Sequence, residues 1–157
     1  MRIFVMWSGA PGHTAAEALY DLLSATAPGV RIFLSSRSLE PGDPWSQQLA
    51  DNLREANVGI ACLTREGAHS RWIHYEAGMV AKLPRHRLIP IRYGLQAIEG
   101  PLGHLQSVDG TKESGVWSMV ETLNSDRPRR KRLSRSMLQT AFQDAWPLYA
   151  DEIDTLK

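Results

Sequence analysis

The sequence predicts an α/β domain, a parallel sheet with helices on both faces, and three observations predict it. Four short apolar runs recur along the chain: RIFVMW (2–7), VRIFLS (30–35), VGIACLT (58–64) and RLIPIRY (87–93). The first three are near-continuous instead of alternating, and rich in β-branched or aromatic residues, as strands covered on both faces are. Helix-like segments separate them, and strand–helix–strand order leads through right-handed crossovers to a parallel sheet.

The elements follow in order. Segment 13–27 places Ala16, Leu19, Tyr20 and Leu23 at helical spacing and stops before Pro28 and Gly29. Segment 44–57 aligns Trp45, Leu49, Leu53 and Ala56 on one stripe. Segment 70–83 offers Ser70 as an N-cap and ends before Pro84. Beyond Tyr93, residues 94–110 read as a Gly-rich loop with a short helix or strand, and 112–125 as a further helix. DRPRRKR (126–132) is a basic break, and 133–156 an amphipathic helix interrupted at Pro147. Residues 1–125 are thus expected to form the main domain, with 126–157 a basic linker and a C-terminal helix packing on it. Ligands of such sheets bind beyond the carboxyl ends of the strands, which directs attention to loops 7–13, 35–45 and 64–70.

The totals narrow the class. A chain of 157 residues is most simply one domain with one core, and its apolar and charged fractions are those of an ordinary soluble protein. A net charge of +1 gives no reason to invoke nucleic acid or a membrane surface. Accordingly the run 127–132 reads as a solvated linker between helices. No apolar run approaches bilayer length, and the N-terminus does not resemble a signal peptide. The single cysteine, Cys62, has no internal partner, so a reducing cytoplasm is the expected location.

Several chemistries lack their signatures. There is no Gly-x-Gly-x-x-Gly, no Gly-Lys-Ser/Thr loop, no His-Glu-x-x-His and no Gly-x-Ser-x-Gly. No carboxylate or histidine cluster has metal-ligand spacing, so no metal is expected. The first strand ends in Trp-Ser-Gly, without the acidic pair that a phospho-receiver needs for magnesium. Cys62, inside an apolar strand, reads as a buried inert thiol.

What remains is SRWIHYEAGM (70–79), with Trp72 and Glu76 four residues apart on one helix face. Two readings stand: Trp72 in the core beside a solvated Glu76, or a carboxylate held against an aromatic wall. An apolar neighbour penalises the charged carboxylate, and a cationic substrate favours it. Such a group suits an oxocarbenium-like transition state, as in cleavage of a glycosidic bond.

RIFVMWSG, the block from Ile32 to Gly78 and RLIPIRYGLQAIEGPLGHLQ together resemble the bacterial form of the Toll/interleukin-1 receptor (TIR) domain. The similarity runs in register from about Arg2 to Gln106. Its most specific part holds GDPWSQQL, GIACLT and WIHYEAG, where Trp72 to Glu76 match the family's Trp-x-x-x-Glu motif. The resemblance implies a flavodoxin-like fold with extra C-terminal helices. It implies an NAD⁺ nucleosidase or ADP-ribosyl cyclase that breaks the nicotinamide–ribose bond, with NAD⁺ as substrate and no cofactor. Glu76 would be the catalytic carboxylate and Trp72 would shape its pocket. Tyr75 would offer a further stacking face, Ser36 and Trp45 would belong to a loop beside the active site, and Trp7, Ser8 and Gly9 would line the cleft. It further implies self-association through TIR domains, and a nucleotide signal in antiphage defence of the Thoeris kind, sensed by a separate effector protein. The animal adaptors' Arg-Asp…Pro-Gly loop and C-terminal Phe-Trp box are missing here, which argues against an adaptor of that sort. Two alternatives stay open: a non-catalytic TIR–TIR interaction module, and a nucleoside deoxyribosyltransferase, which would want further carboxylates around the base.

Overall fold

The computed structural model describes residues 1–35, 47–82 and 86–157, and for 47–50 the backbone alone. Ser36, Trp45 and the side chain of Leu49 therefore lie outside the described residues. Each apolar run forms a strand: β1 (Arg2–Met6), β2 (Arg31–Leu34), β3 (Val58–Leu63) and β4 (Arg87–Arg92). A two-residue strand, β5 (Val108–Asp109), extends the edge. The described sheet runs β2-β1-β3-β4-β5 with every pairing parallel, the flavodoxin-like order. Its topological switch point lies between β1 and β3.

The period of two along each strand divides the interior into two cores. Ile3 and Val5 face α1 (Gly9–Thr26), α4 (Glu113–Asp126) and α5 (Arg135–Glu152), whereas Phe4 and Met6 face α2 (Gln47–Glu55) and α3 (Arg71–Ala81). β3 is buried along its whole length, which is why VGIACL alternates no polar residues.

Three expectations need correction. The first helix begins at Gly9, not His13, so most of 7–13 is helical. Gly9, at φ 76°, takes the left-handed turn out of the strand. Pro11 falls in the first helical turn, where a missing N–H removes no helix bond. Within α1 Tyr20 is 40% exposed, and Leu22 fills the buried stripe with Leu19 and Leu23. The C-terminal helix is not interrupted at Pro147 but runs unbroken from Arg135 to Glu152. Pro147 and Gln143, whose carbonyl loses its partner, both face solvent, and packing of α5 along α1 holds the helix together. The basic run is not wholly solvated either. Arg127 is 5% exposed and donates to the Pro28 carbonyl at 2.6 Å, while Arg132 donates to the Arg127 carbonyl at 2.8 Å. Arg129, Arg130 and Lys131 remain exposed.

A buried hydroxyl chain fastens α5 to the sheet. The Gly110 carbonyl only accepts, so Tyr149 Oη donates to it at 3.0 Å and accepts from Tyr93 Oη at 3.0 Å. Cys62 completes the chain beside Tyr93. Burial pushes its thiol up to about 12, and burial also raises both tyrosines, so all three are neutral and the cysteine is inert, as expected. Tyr149→Phe strands the Gly110 carbonyl and the Tyr93 proton. The expected cost is about 1–3 kcal/mol, read from the urea midpoint at constant slope. An unchanged midpoint would show that the chain contributes nothing.

Candidate active site

Glu76 reaches the carboxyl ends of the strands because of the turn that precedes α3. Thr64 Oγ1 accepts from the Gly67 N–H at 3.2 Å, and the Ala68 N–H donates to the Thr64 carbonyl at 2.8 Å. A Cβ on Gly67 would lie 2.8 Å from the Ser8 carbonyl oxygen, so glycine is what lets the loops after β1 and β3 meet. From there Ile73, Ala77 and Val80, at helical spacing, bury α3 against the sheet.

Glu76 shares that buried face and is 0% exposed, which rejects the reading of a solvated helix carboxylate. The Ser35 hydroxyl, just past the end of β2, donates to Glu76 Oε1 at 2.5 Å. Trp72 Nε1 donates to the same hydroxyl at 3.4 Å. Tyr75 is 51% exposed, and its ring stacks on Trp72 with centroids 6.2 Å apart and planes at 28°. A buried carboxylate thus sits at the strand ends, linked through the Ser35 hydroxyl to the stacked Trp72 and Tyr75 rings, where electrostatic interactions are stronger than in water. The arrangement can stabilise a cation and stack a planar ring.

Of the residues singled out in the sequence, Trp72, Tyr75 and Glu76 are brought together. Ser8 and Gly9 stand at the start of α1, by the switch point and against the β3–α3 turn. Trp7 packs on the α1 side of the sheet, its ring 4.5 Å from that of His13, and so belongs to the other core from Trp72. Ser35 was missed. Its signal was slight: the first polar residue after an apolar strand, one position before the serine that the resemblance marks. Among the described residues no three of His, Cys, Asp or Glu gather into a metal-binding group, and no described helix is long and apolar enough to cross a membrane.

A parallel sheet in this order, flanked by helices on both faces, defines a flavodoxin-like α/β domain. Residues 3–123 match the family model of the TIR domain, and the chain belongs to that family. The matched span ends within α4, so α5 lies beyond it. A probable 2′ cyclic ADP-D-ribose synthase of Brachypodium distachyon, BdTIR, is 31% identical over 84 residues, which cover 54% of this chain and 36% of that protein. The chain therefore aligns to about a third of that relative's length. Among solved structures, the TIR domains of the activated Roq1 resistosome, which recognises the pathogen effector XopQ, align at 16% identity. The TM-score is 0.41, with 96% of this chain and 83% of that chain covered. The polysaccharide biosynthesis enzyme WcbI aligns at 14% identity with a TM-score of 0.35, over 98% of this chain and 52% of that chain. The family assignment rests on the sequence match.

Proposed function

We propose that this chain cleaves the nicotinamide–ribose bond of NAD⁺, with Glu76 as the catalytic carboxylate. The observation that carries the reading is a fully buried glutamate, bonded by Ser35 and linked through it to the Trp72–Tyr75 stack, at the strand ends of a TIR domain. The naming of a relative as a cyclic ADP-ribose synthase supports it.

Nicotinamide in NAD⁺ is already a cationic leaving group and needs no general acid. The C1′–N bond breaks with its electron pair departing on nicotinamide, which leaves neutral. Ionised Glu76 stabilises the ribosyl cation and holds ribose hydroxyls. A water oxygen then bonds to C1′ and gives ADP-ribose, its proton passing to solvent. When a ribose hydroxyl or the adenine of the same molecule attacks instead, the product is a cyclic isomer. How well the site excludes water sets the ratio. NAD⁺ is substrate here, and the reaction calls for no cofactor. The proposal extends to self-association that completes the site, a cytoplasmic role in antiphage defence, and a separate effector that senses the product.

The test is to incubate concentrated protein with NAD⁺ and resolve the products by chromatography with mass detection. Free nicotinamide is expected, and a partner product one water lighter than ADP-ribose identifies cyclisation. NAD⁺ left intact at every protein concentration, with crowding agents and infected-cell lysate included, would favour the interaction module instead.

A further inference from the structure

We infer that Ser35 is a positioning residue of this site, through which the tryptophan and glutamate of the Trp-x-x-x-Glu motif are coupled. The inference rests on the reading of Glu76 as the catalytic carboxylate, and it gives a role to a residue outside the motif.

A hydroxyl carries one proton and two acceptor sites. Ser35 Oγ accepts from the Trp72 indole at 3.4 Å and donates to Glu76 Oε1 at 2.5 Å, so the chain runs in one direction, indole to hydroxyl to carboxylate. Each bond polarises the next. Ser35 itself is fixed: it is 1% exposed, and its N–H donates to the Val5 carbonyl at 2.8 Å, continuing the β1–β2 ladder past Leu34. The hydroxyl therefore belongs to the sheet, whereas Trp72 and Glu76 belong to α3. Their junction sets the reactive face of the helix against the strand ends and holds the carboxylate in one rotamer. A serine that only filled space would need no polar contact with the acid, and alanine would serve as well.

Ser35→Ala, Trp72→Phe and the double variant decide the matter. Each is assayed for NAD⁺ cleavage across pH and for titration of the Glu76 carboxyl by 13C NMR. Loss of the donor leaves the carboxylate less stabilised, so it takes up its proton at higher pH. Ser35→Ala is accordingly expected to lower kcat on the order of ten- to a hundredfold, with KM little changed, and to move the acidic limb of the rate profile upward. Trp72→Phe should move the limb the same way by less, and should add nothing to that shift in the double variant, because the indole bears on the carboxylate through the hydroxyl. Ser35→Cys, a weak donor of similar size, should fall between and stands in where the alanine variant does not fold. Unchanged kcat and acidic limb in both Ser35 variants, or full additivity of the limb shifts in the double, would overturn the inference. The NMR titration needs no turnover. If the native protein leaves NAD⁺ intact, the proposed function falls, yet a Glu76 titration moved upward in Ser35→Ala still supports the contact, and identical titrations overturn it.

Discussion

Glu76→Gln is expected to lower NAD⁺ cleavage by between about a hundredfold and a thousandfold while the protein stays folded. Two magnitudes set that range. Two unit charges about 4 Å apart interact by about 4 kcal/mol at the effective dielectric of a protein site, and each 1.36 kcal/mol in a barrier is about tenfold in rate. Removing one preorganised stabilising group from an active site costs about a hundredfold or more. Glutamine has nearly the shape of glutamate, and its carbonyl can accept from the Ser35 hydroxyl as Oε1 does. What disappears is the charge. In the proposed reaction that charge faces the cation as it develops, which the neutral amide cannot match. The melting temperature of the variant is measured beside its kcat, so that loss of rate is read in a folded protein. A variant that cleaves NAD⁺ within about twofold of the native rate would remove Glu76 from the chemistry. A variant that lost activity and unfolded together would instead make the residue structural.

The parts of this molecule that could be read in the sequence are those set by local pattern. VGIACL and most of RIFVM are buried, as near-continuous apolar runs are where both faces are covered. RIFL is only half-buried and RLIPIR buries its centre, yet each run still reads as a strand, and the helices between them show their stripes. Effects that depend on packing elsewhere stayed out of reach. Pro147 reads as a break, since the sequence does not show that α1 lies along α5 and offsets the lost bond. Arg127 sits in a charge run, and only the fold brings Pro28 within its reach. β5 is two residues long, too short to carry a period. The site divides in the same way. Trp72 and Glu76 are legible together because i and i+4 share a face, but whether that face is wet depends on what covers it. Ser35 lies 41 residues from Glu76 along the chain, and no spacing rule connects a strand end to a helix three elements later. Trp7 is placed at the cleft by the family resemblance, not by a pattern in this chain. Strand alternation packs its side chain with Ile3 and Val5 on the α1 side.

Phe142→Ala tests whether α5, which lies beyond the matched TIR span, folds as one unit with it. Phe142 is 2% exposed, edge-on to Trp117 of α4 with centroids 5.1 Å apart and stacked on Trp146 at 5.7 Å. Truncating a buried phenylalanine costs about 3–5 kcal/mol, a large share of the 5–15 kcal/mol that a domain of this size typically has. If 126–157 is integral to the domain, urea unfolding of the variant followed by far-UV circular dichroism and tryptophan fluorescence should show one transition at a much lower midpoint. Both probes should coincide. A loosely docked helix would behave differently, with helical signal lost at low urea while the main transition stays in place. The hydroxyl chain through Tyr149 and the Arg127 bond to Pro28 favour the single transition, because each ties the C-terminal segment to an element of the sheet domain. Below its lowered midpoint the variant is also expected to cleave NAD⁺ at the native rate. Phe142 lies in the core on the α1 side, and the side chains around Glu76 lie across the sheet from it. A fall in kcat at a temperature where the variant is fully folded would show that the two faces are coupled through the sheet.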